Sequence, residues 1–295
     1  MTHFSICPIC SGTTFTPYIS CEDFTVSHKT FPIIQCSQCH LLITSPIPDP
    51  DKLGDYYLSD AYISHSAKAT SLQDKIYKLA RNLTLSWKLR IINKQSRKSG
   101  KSFLLDYGCG TGQFLQKCQA DGWHIQGVEP SEHARSLSSR LTQTTIAPNL
   151  DNPAAKTFEI ITLWHVLEHI PDLNETLQSL RTALTDSGTM FIAVPNHNSW
   201  DAKHYKQYWA GYDVPRHIWH FTQSNMKSLL KRHDLRIINT LPMKLDAFYV
   251  SLLSEKYQRK PQATMFIKAI INGIRSNYFA HKQNEYSSLI YIVKK

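Results

Sequence analysis

The chain has 295 residues, of which 42% are hydrophobic and 19% charged. That suffices for one large α/β domain plus a small appendage and excludes global disorder. No apolar run approaches the length that spans a bilayer, and the opening MTHFSICPIC lacks the basic-then-apolar pattern of a secretory leader. A cytoplasmic protein, at most peripheral to the membrane, is expected. The net charge of +10 is local: residues 68–101 carry ten Lys or Arg against Asp74 alone, and residues 252–282 carry six against Glu255. Such a surface suits nucleic acid, anionic lipid or an acidic substrate.

In chain order, residues 1–45 read as a cysteine-rich module with short β-like runs. The seven cysteines are an odd number, which argues against a disulfide framework. Cys7-Pro-Ile-Cys10 and Cys36-Ser-Gln-Cys39 are two C-x-x-C knuckles. Four thiolates close a tetrahedral zinc site, and a closed site is structural. Metal would supply folding energy that so short a module lacks. Cys21, His28 and His40 are alternative ligands.

Residues 46–100 read as a linker and a basic amphipathic helix. The linker is TSPIPDPDKLGDYY, with three prolines. Across 71–95, Leu72, Ile76, Leu79, Leu83, Trp87 and Ile91 fall near one helix face, with Lys75, Lys78, Lys88 and Lys94 elsewhere. The basic face is either solvated or docks on a membrane or nucleic acid.

From Lys101 to Lys295 strands alternate with helices. SFLLDYG, HIQGVEP, FEIITLWH, TMFIAVPN, LRIINTLP and SSLIYIVKK read as strands, with TTIAP a short further one. GQFLQKCQAD, SEHARSLSSRL, DLNETLQSLRTAL (stopped by DSG) and TQSNMKSLLKRHD read as helices, the last opened by Thr222 as N-cap. This alternation predicts an α/β fold with a doubly wound, mainly parallel sheet. Two insertions interrupt it, near 197–221 and 243–285.

The segment Asp106-Tyr107-Gly108-Cys109-Gly110-Thr111-Gly112 lies between an apolar strand and an amphipathic helix that opens with Gln113 and Phe114. Its glycines let the backbone bend sharply and approach a ligand at the helix N-terminus. Glu129 ends the next strand, where a carboxylate accepts hydrogen bonds from ribose hydroxyls. A dinucleotide fingerprint would read G-x-G-x-x-G; this turn reads D-x-G-x-G-x-G.

That motif resembles the first motif of the class I S-adenosylmethionine-dependent methyltransferases. VEPS (Val128 to Ser131), FEIITLWHVLEHIPD (Phe158 to Asp172) and DSGTMFIAVPN (Asp186 to Asn196) resemble the family's later motifs, in order. The resemblance implies a Rossmann-like methyltransferase domain with S-adenosylmethionine as cofactor. It implies that Asp106 orients the cofactor's amino group, that Gly108 and Gly110 line its methionine portion, and that Glu129, followed by Pro130, holds the ribose. Leu163, Trp164 and His165 would border the cofactor, and the adenine contact would come from near Asn149 and Leu150. Zinc ribbons precede this fold in sugar C-methyltransferases, in related uncharacterised bacterial enzymes and in ribosomal RNA guanine methyltransferases. Asp55 to Tyr57 and Tyr62 to His65 resemble a stretch of the bacterial group that would cover the cofactor.

His165, Glu168 and His169 share a helical spacing similar to the E-x-x-E-H stretch of ubiquinone-pathway O-methyltransferases. His165 is the candidate for acceptor contact, with Glu168 and His169 in support. The insertion 197–221 carries Trp200, Tyr205, Tyr208, Trp209, Tyr212, Trp219 and Phe221, with His197, His204, Arg216, His217 and His220. It starts beyond the strand ends, where ligands bind, and aromatics supply apolar walls with polar tips. Tyr205 and His217 are therefore candidate catalytic residues beside His165. The expected acceptor is a small molecule, a glycan or a lipid-linked compound, with RNA as the alternative and a cofactor-binding scaffold without catalysis as the third reading. Peripheral contact with anionic membrane or RNA is expected of the basic segments.

Overall fold

The computed structural model describes residues 1–57, 72–96, 102–150, 154–258 and 261–295. Its centre is a six-stranded sheet of β4 (Phe103–Tyr107), β5 (His124–Val128), β6 (Phe158–Trp164), β7 (Leu184–Pro195), β9 (Arg236–Pro242) and β10 (Ser288–Lys294), in the order β5-β4-β6-β7-β10-β9. The pairs β4–β5, β4–β6 and β6–β7 are parallel, whereas β10 runs antiparallel to both neighbours. The chain leaves β4 outward to β5 and returns to β6 on the other side of β4. That reversal opens a crevice at the carboxyl ends of β4 and β6, where such sheets bind ligands.

The helices follow the apolar periodicity. α3 (Gln113–Ala120) buries Phe114, Leu115 and Cys118; α4 (Glu132–Thr142) follows β5; and α5 (Leu173–Ala183) buries Leu173, Leu177, Leu180 and Ala183. α7 (Gln223–Arg232) starts at Thr222, whose Oγ1 accepts from the Asn225 N–H, while Asn225 Oδ1 accepts from the Thr222 N–H. This reciprocal cap satisfies two backbone donors that a helix start leaves free.

Two local expectations change. TTIAP forms only a single bridge, Val128 to Ala147, because Pro148 has no N–H to continue a ladder. The DSG stop is absorbed into β7: Phe158 faces Leu184 but Ile160 faces Thr189, so the extra residues form an irregularity within the strand.

A second sheet, β1 (Phe15–Glu22), β2 (Thr30–Cys36), β3 (Leu42–Thr44) and β8 (Trp219–His220), is antiparallel. Its fourth strand comes from the 197–221 insertion, with Ile43 facing Trp219. Cys7, Ile9, Leu41 and Ile43 share one continuous core with Leu177, Leu180, Leu229 and Leu230. The N-terminal segment is thus built into the larger body.

A short helix α1 (Pro50–Leu53) precedes α2 (Leu72–Gln95). α2 buries Ile91 and Ile92 against Leu104 and Phe114, but Leu83, expected on the packed face, is 58% exposed. The side chains of Leu72, Lys75, Ile76, Lys78 and Leu79, and the stretch Tyr62 to His65, lie outside the described residues. The remaining helices are α6 (Trp200–Tyr205), α8 (Asp246–Tyr257) and α9 (Gln262–Gln283).

Candidate active site

The glycine turn after β4 meets the loops after β5 and β6. Gly108 has φ +74°, and a Cβ there would lie 2.5 Å from Val166 Cγ2; Gly112 has φ +85°, and a Cβ would lie 2.3 Å from Ser138 Oγ. Neither position accepts a side chain, so the turn keeps its shape only with glycine.

Glu129 is fixed by two backbone donors. Its Oε2 accepts from the Gly110 N–H at 2.8 Å and its Oε1 from the Ser131 N–H at 2.9 Å. Each oxygen keeps a lone pair for a ribose hydroxyl. Asp106 is buried at the end of β4, where its Oδ1 accepts from Thr162 Oγ1 at 2.6 Å. Burial raises Asp106 to about 7, against the opposing pull of that hydrogen bond and of Lys88.

Lys88 is the residue that sequence reasoning placed wrongly. Expected off the packed face of α2, it instead lies over the Trp164 ring, 4.3 Å from its centroid. Burial lowers it to about 8, although Asp246 and Asp106 both favour its charge. Phe114 meets Trp164 edge-on at 5.4 Å. Trp164 Nε1 is buried with no acceptor among the described residues, an unspent donor beside the crevice. A preset carboxylate at Glu129, a buried carboxylate at Asp106 and this free donor together fit S-adenosylmethionine. Leu163 needs correction: its side chain is fully buried in the core, unlike the partly exposed Trp164 and His165 that follow it. Gln113 Oε1 accepts from Thr111 Oγ1 within the turn, Pro130 is exposed, and Leu150 packs on the core.

His165 has φ +57°, in the left-handed region that costs a non-glycine residue strain. The turn aims its ring at α8: Nε2 lies 3.0 Å from Asp246 Oδ2, and Nδ1 lies 3.3 Å from Glu168 Oε1. Burial opposes its charge, but the Asp246 and Glu168 carboxylates outweigh it and raise His165 to about 9. Both ring nitrogens are engaged and the ring is cationic at neutral pH, so His165 is not a free base. Asp246 was not foreseen.

The insertion does not build the expected acceptor wall. Tyr205 is buried and donates to Glu255 Oε1 at 3.1 Å. His217 is also buried, its Nδ1 facing the Gly211 carbonyl at 2.8 Å. His169 Nδ1 lies 3.0 Å from the Arg216 carbonyl and 3.0 Å from Tyr57 Oη. Tyr57, expected over the cofactor, thus joins the lock between the insertion and the 3₁₀ turn Leu167–His169. Arg216 is the other half of that lock: it pairs with Asp23 Oδ1 at 3.0 Å and Asp213 Oδ1 at 2.6 Å, all but sealed from solvent. Against the cost of burial, the Ser27 N–H and Arg216 hold Asp23 down at about 2.

A cavity of about 650 Å³ opens between α2 and the β9–α8 connection, lined by Trp87, Ile91, Leu241, Met243, Leu245 and Asp246.

The four cysteines form a separate centre. Cys7 Sγ lies 3.4 Å from Cys39 Sγ, and Cys10 Sγ lies 3.5 Å from Cys36 Sγ, with all four within 4.8 Å. A zinc–sulfur bond of about 2.3 Å gives a tetrahedral edge of about 3.8 Å, so the set fits zinc. Each knuckle closes with a left-handed residue, Ser11 or His40, whose N–H donates to the Cys7 or Cys36 carbonyl at 2.9 Å. His40 therefore serves the turn, Cys21 sits in a different cluster, and His28 faces Glu22.

Comparison with known proteins agrees with this geometry. The methyltransferase-domain family profile matches residues 77–240, more than half of the chain. The ubiquinone biosynthesis O-methyltransferase of Paraburkholderia xenovorans is 28% identical over 125 residues, 39% of this chain and 52% of that protein. The enzyme of the same name from Actinobacillus pleuropneumoniae is 33% identical over 106 residues, 32% of this chain and 45% of its own. The chain thus spans about half the length of the curated relatives it matches. The geranyl diphosphate C-methyltransferase of Streptomyces coelicolor superposes with a TM-score of 0.53 at 10% identity, covering 84% of this chain and 88% of that one. A SAM-dependent methyltransferase from Archaeoglobus fulgidus gives 0.50 at 19% identity, covering 73% and 94%. The structural likenesses support the fold, and the family profile spans more than half of the sequence: the chain belongs to the methyltransferase-domain family.

Proposed function

We propose that this enzyme methylates a small-molecule or lipid-linked acceptor whose apolar part lies in the cavity between α2 and β9. The observation that carries this is Asp246, which lines the cavity and reaches His165 at the end of β6. Bound S-adenosylmethionine supplies a methyl group already activated by its sulfonium. The chain's task is to align an acceptor with it. Glu129 holds the ribose, Asp106 the amino group, and Trp164 borders the crevice. Asp246 meets the acceptor's hydroxyl or amine, and His165 holds that carboxylate in place. A proton that must leave the acceptor passes to Asp246.

The apolar lining favours such an acceptor over RNA, which calls for stacked aromatics interleaved with cations. We propose further that Cys7, Cys10, Cys36 and Cys39 hold a structural zinc.

The test is release of S-adenosylhomocysteine over panels of hydroxylated small molecules, glycans and lipid extracts. Asp246→Asn and His165→Ala should each lower turnover about tenfold or more with cofactor affinity within about twofold. Loss of cofactor affinity with turnover preserved would move both residues out of the acceptor site.

A further inference from the structure

The two helices between β9 and β10 are packed inside out. α9 turns Ala269, Asn272, Gly273, Ser276 and Ala280 inward. Asn272 Nδ2 donates to Tyr205 Oη at 2.9 Å and to Glu255 Oε1 at 3.0 Å, and Ser276 Oγ donates to Asp201 Oδ1 at 2.7 Å. The opposite face presents Ile267, Ile270, Ile271, Ile274 and Tyr278, which are 43–61% exposed. Their spacing puts them on one stripe about 16 Å long. α8 repeats the inversion: it buries Ala247, Ser251, Ser254 and Glu255 and leaves Tyr249 48% exposed.

Soluble proteins scatter exposed apolar residues singly, and a contiguous stripe marks an interaction surface. Charge selects the partner. From Lys256 to Asn284 the sequence has six Lys or Arg and no acid. Lys268, Arg275 and Lys282 are exposed on the same helix. A second copy apposed across a two-fold axis would set these cations against their own kind. RNA would need free stacking rings, whereas four of the five stripe residues are isoleucine and the neighbouring exposed Phe279 is already stacked on Trp200.

An anionic bilayer satisfies both features: aliphatic side chains enter the boundary between headgroups and acyl chains, and the cations meet lipid phosphates. No helix among the described residues is long and apolar enough to cross a membrane, so the contact is with the surface.

We propose that the α8–α9 hairpin seats this enzyme on the surface of an anionic bilayer. Leu245 and Asp246, where the hairpin begins, line the cavity together with the exposed Leu83. Seating therefore sets the cavity mouth close to the lipid. This last consequence rests on the acceptor reading above; the docking does not, and its test needs no acceptor.

The experiment is flotation of the full chain with phosphatidylcholine vesicles, with and without phosphatidylglycerol. Binding to the phosphatidylglycerol vesicles should exceed that to pure phosphatidylcholine by about tenfold or more and weaken with added salt. Ile270→Glu with Ile274→Glu, and separately Lys268→Glu with Arg275→Glu, should each reduce binding about tenfold without changing Tm or cofactor affinity. Absence of binding to phosphatidylglycerol vesicles at low salt would overturn the proposal. So would a dimer in light scattering that the isoleucine changes dissociate while vesicle binding is unaltered, or an RNA oligonucleotide bound through the same residues in place of vesicles.

Discussion

His165 at the end of β6 and Asp246 at the start of α8 lie 3.0 Å apart, joining the sheet's central crevice to an insertion 81 residues further along the chain. The pair joins a cation to an anion. The carboxylates that hold His165 above its ordinary value make this contact a source of stability with a defined pH range. Because the folded pKa is raised, the stabilisation is full below the unfolded value of about 6.5 and is lost as pH rises through about 9. Asp246→Asn should therefore lower Tm by several degrees at pH 6 to 7, with the deficit shrinking towards pH 10. Thermal denaturation across that range checks it; an equal deficit at every pH would show that charge on His165 plays no part.

Lys88 and Asp106 offer a second pH test. In the proposed site Asp106 holds the cofactor's amino group only when ionised, and burial has raised it to about 7. Cofactor affinity should fall as pH drops below that value. Removing the Lys88 cation raises Asp106 further, so Lys88→Met should move this acid limb to higher pH. Calorimetric titrations from pH 6 to 9 read the limb directly, and an unshifted limb would remove Lys88 from the site.

Arg216 is buried between Asp23 and Asp213. Arg216→Met leaves the buried Asp23 and the partly exposed Asp213 without their cation and should destabilise the fold by about 3 kcal/mol or more. Urea denaturation measures this. A change under about 1 kcal/mol would mean that the insertion does not depend on this lock.

The cysteine centre should respond to metal removal. Cys36→Ser, or a strong chelator, should release one zinc per chain and lower Tm. Because β3 pairs with β8, disorder should spread to the insertion as well as the N-terminus. Elemental analysis with hydrogen exchange follows both effects. A wild-type chain that is metal-free and fully folded would refute the zinc assignment.

Much of the cofactor side was legible because it is local. D-x-G-x-G-x-G sits between a strand and a helix, Glu129 ends the next strand, and Thr222 caps its helix through a residue three positions away. The proposed acceptor side was not, because its contacts join residues distant in sequence. Nothing near Met243-Lys244-Leu245-Asp246 announces a partner at His165. The aromatic insertion looked like a pocket wall, yet Tyr205, Trp209 and Tyr212 pack on the second sheet, where Trp219 faces Ile43, and Trp200 stacks on Phe279. Lys88 did leave a signal: it is the one charge in Leu83-Thr84-Leu85-Ser86-Trp87-Lys88-Leu89. A cation in an apolar run is costly to bury without a partner. The inverted hairpin left one too, in the isoleucines of MFIKAIINGI.

Everything proposed for the site requires the crevice at β4, β5 and β6 to bind S-adenosylmethionine through Asp106 and Glu129. Calorimetric titration of S-adenosylmethionine and S-adenosylhomocysteine into zinc-replete protein tests it most directly. Micromolar binding is expected, and Asp106→Ala or Glu129→Ala should each weaken it about tenfold or more. Binding unchanged by both substitutions, or no binding to the wild-type chain, would contradict it.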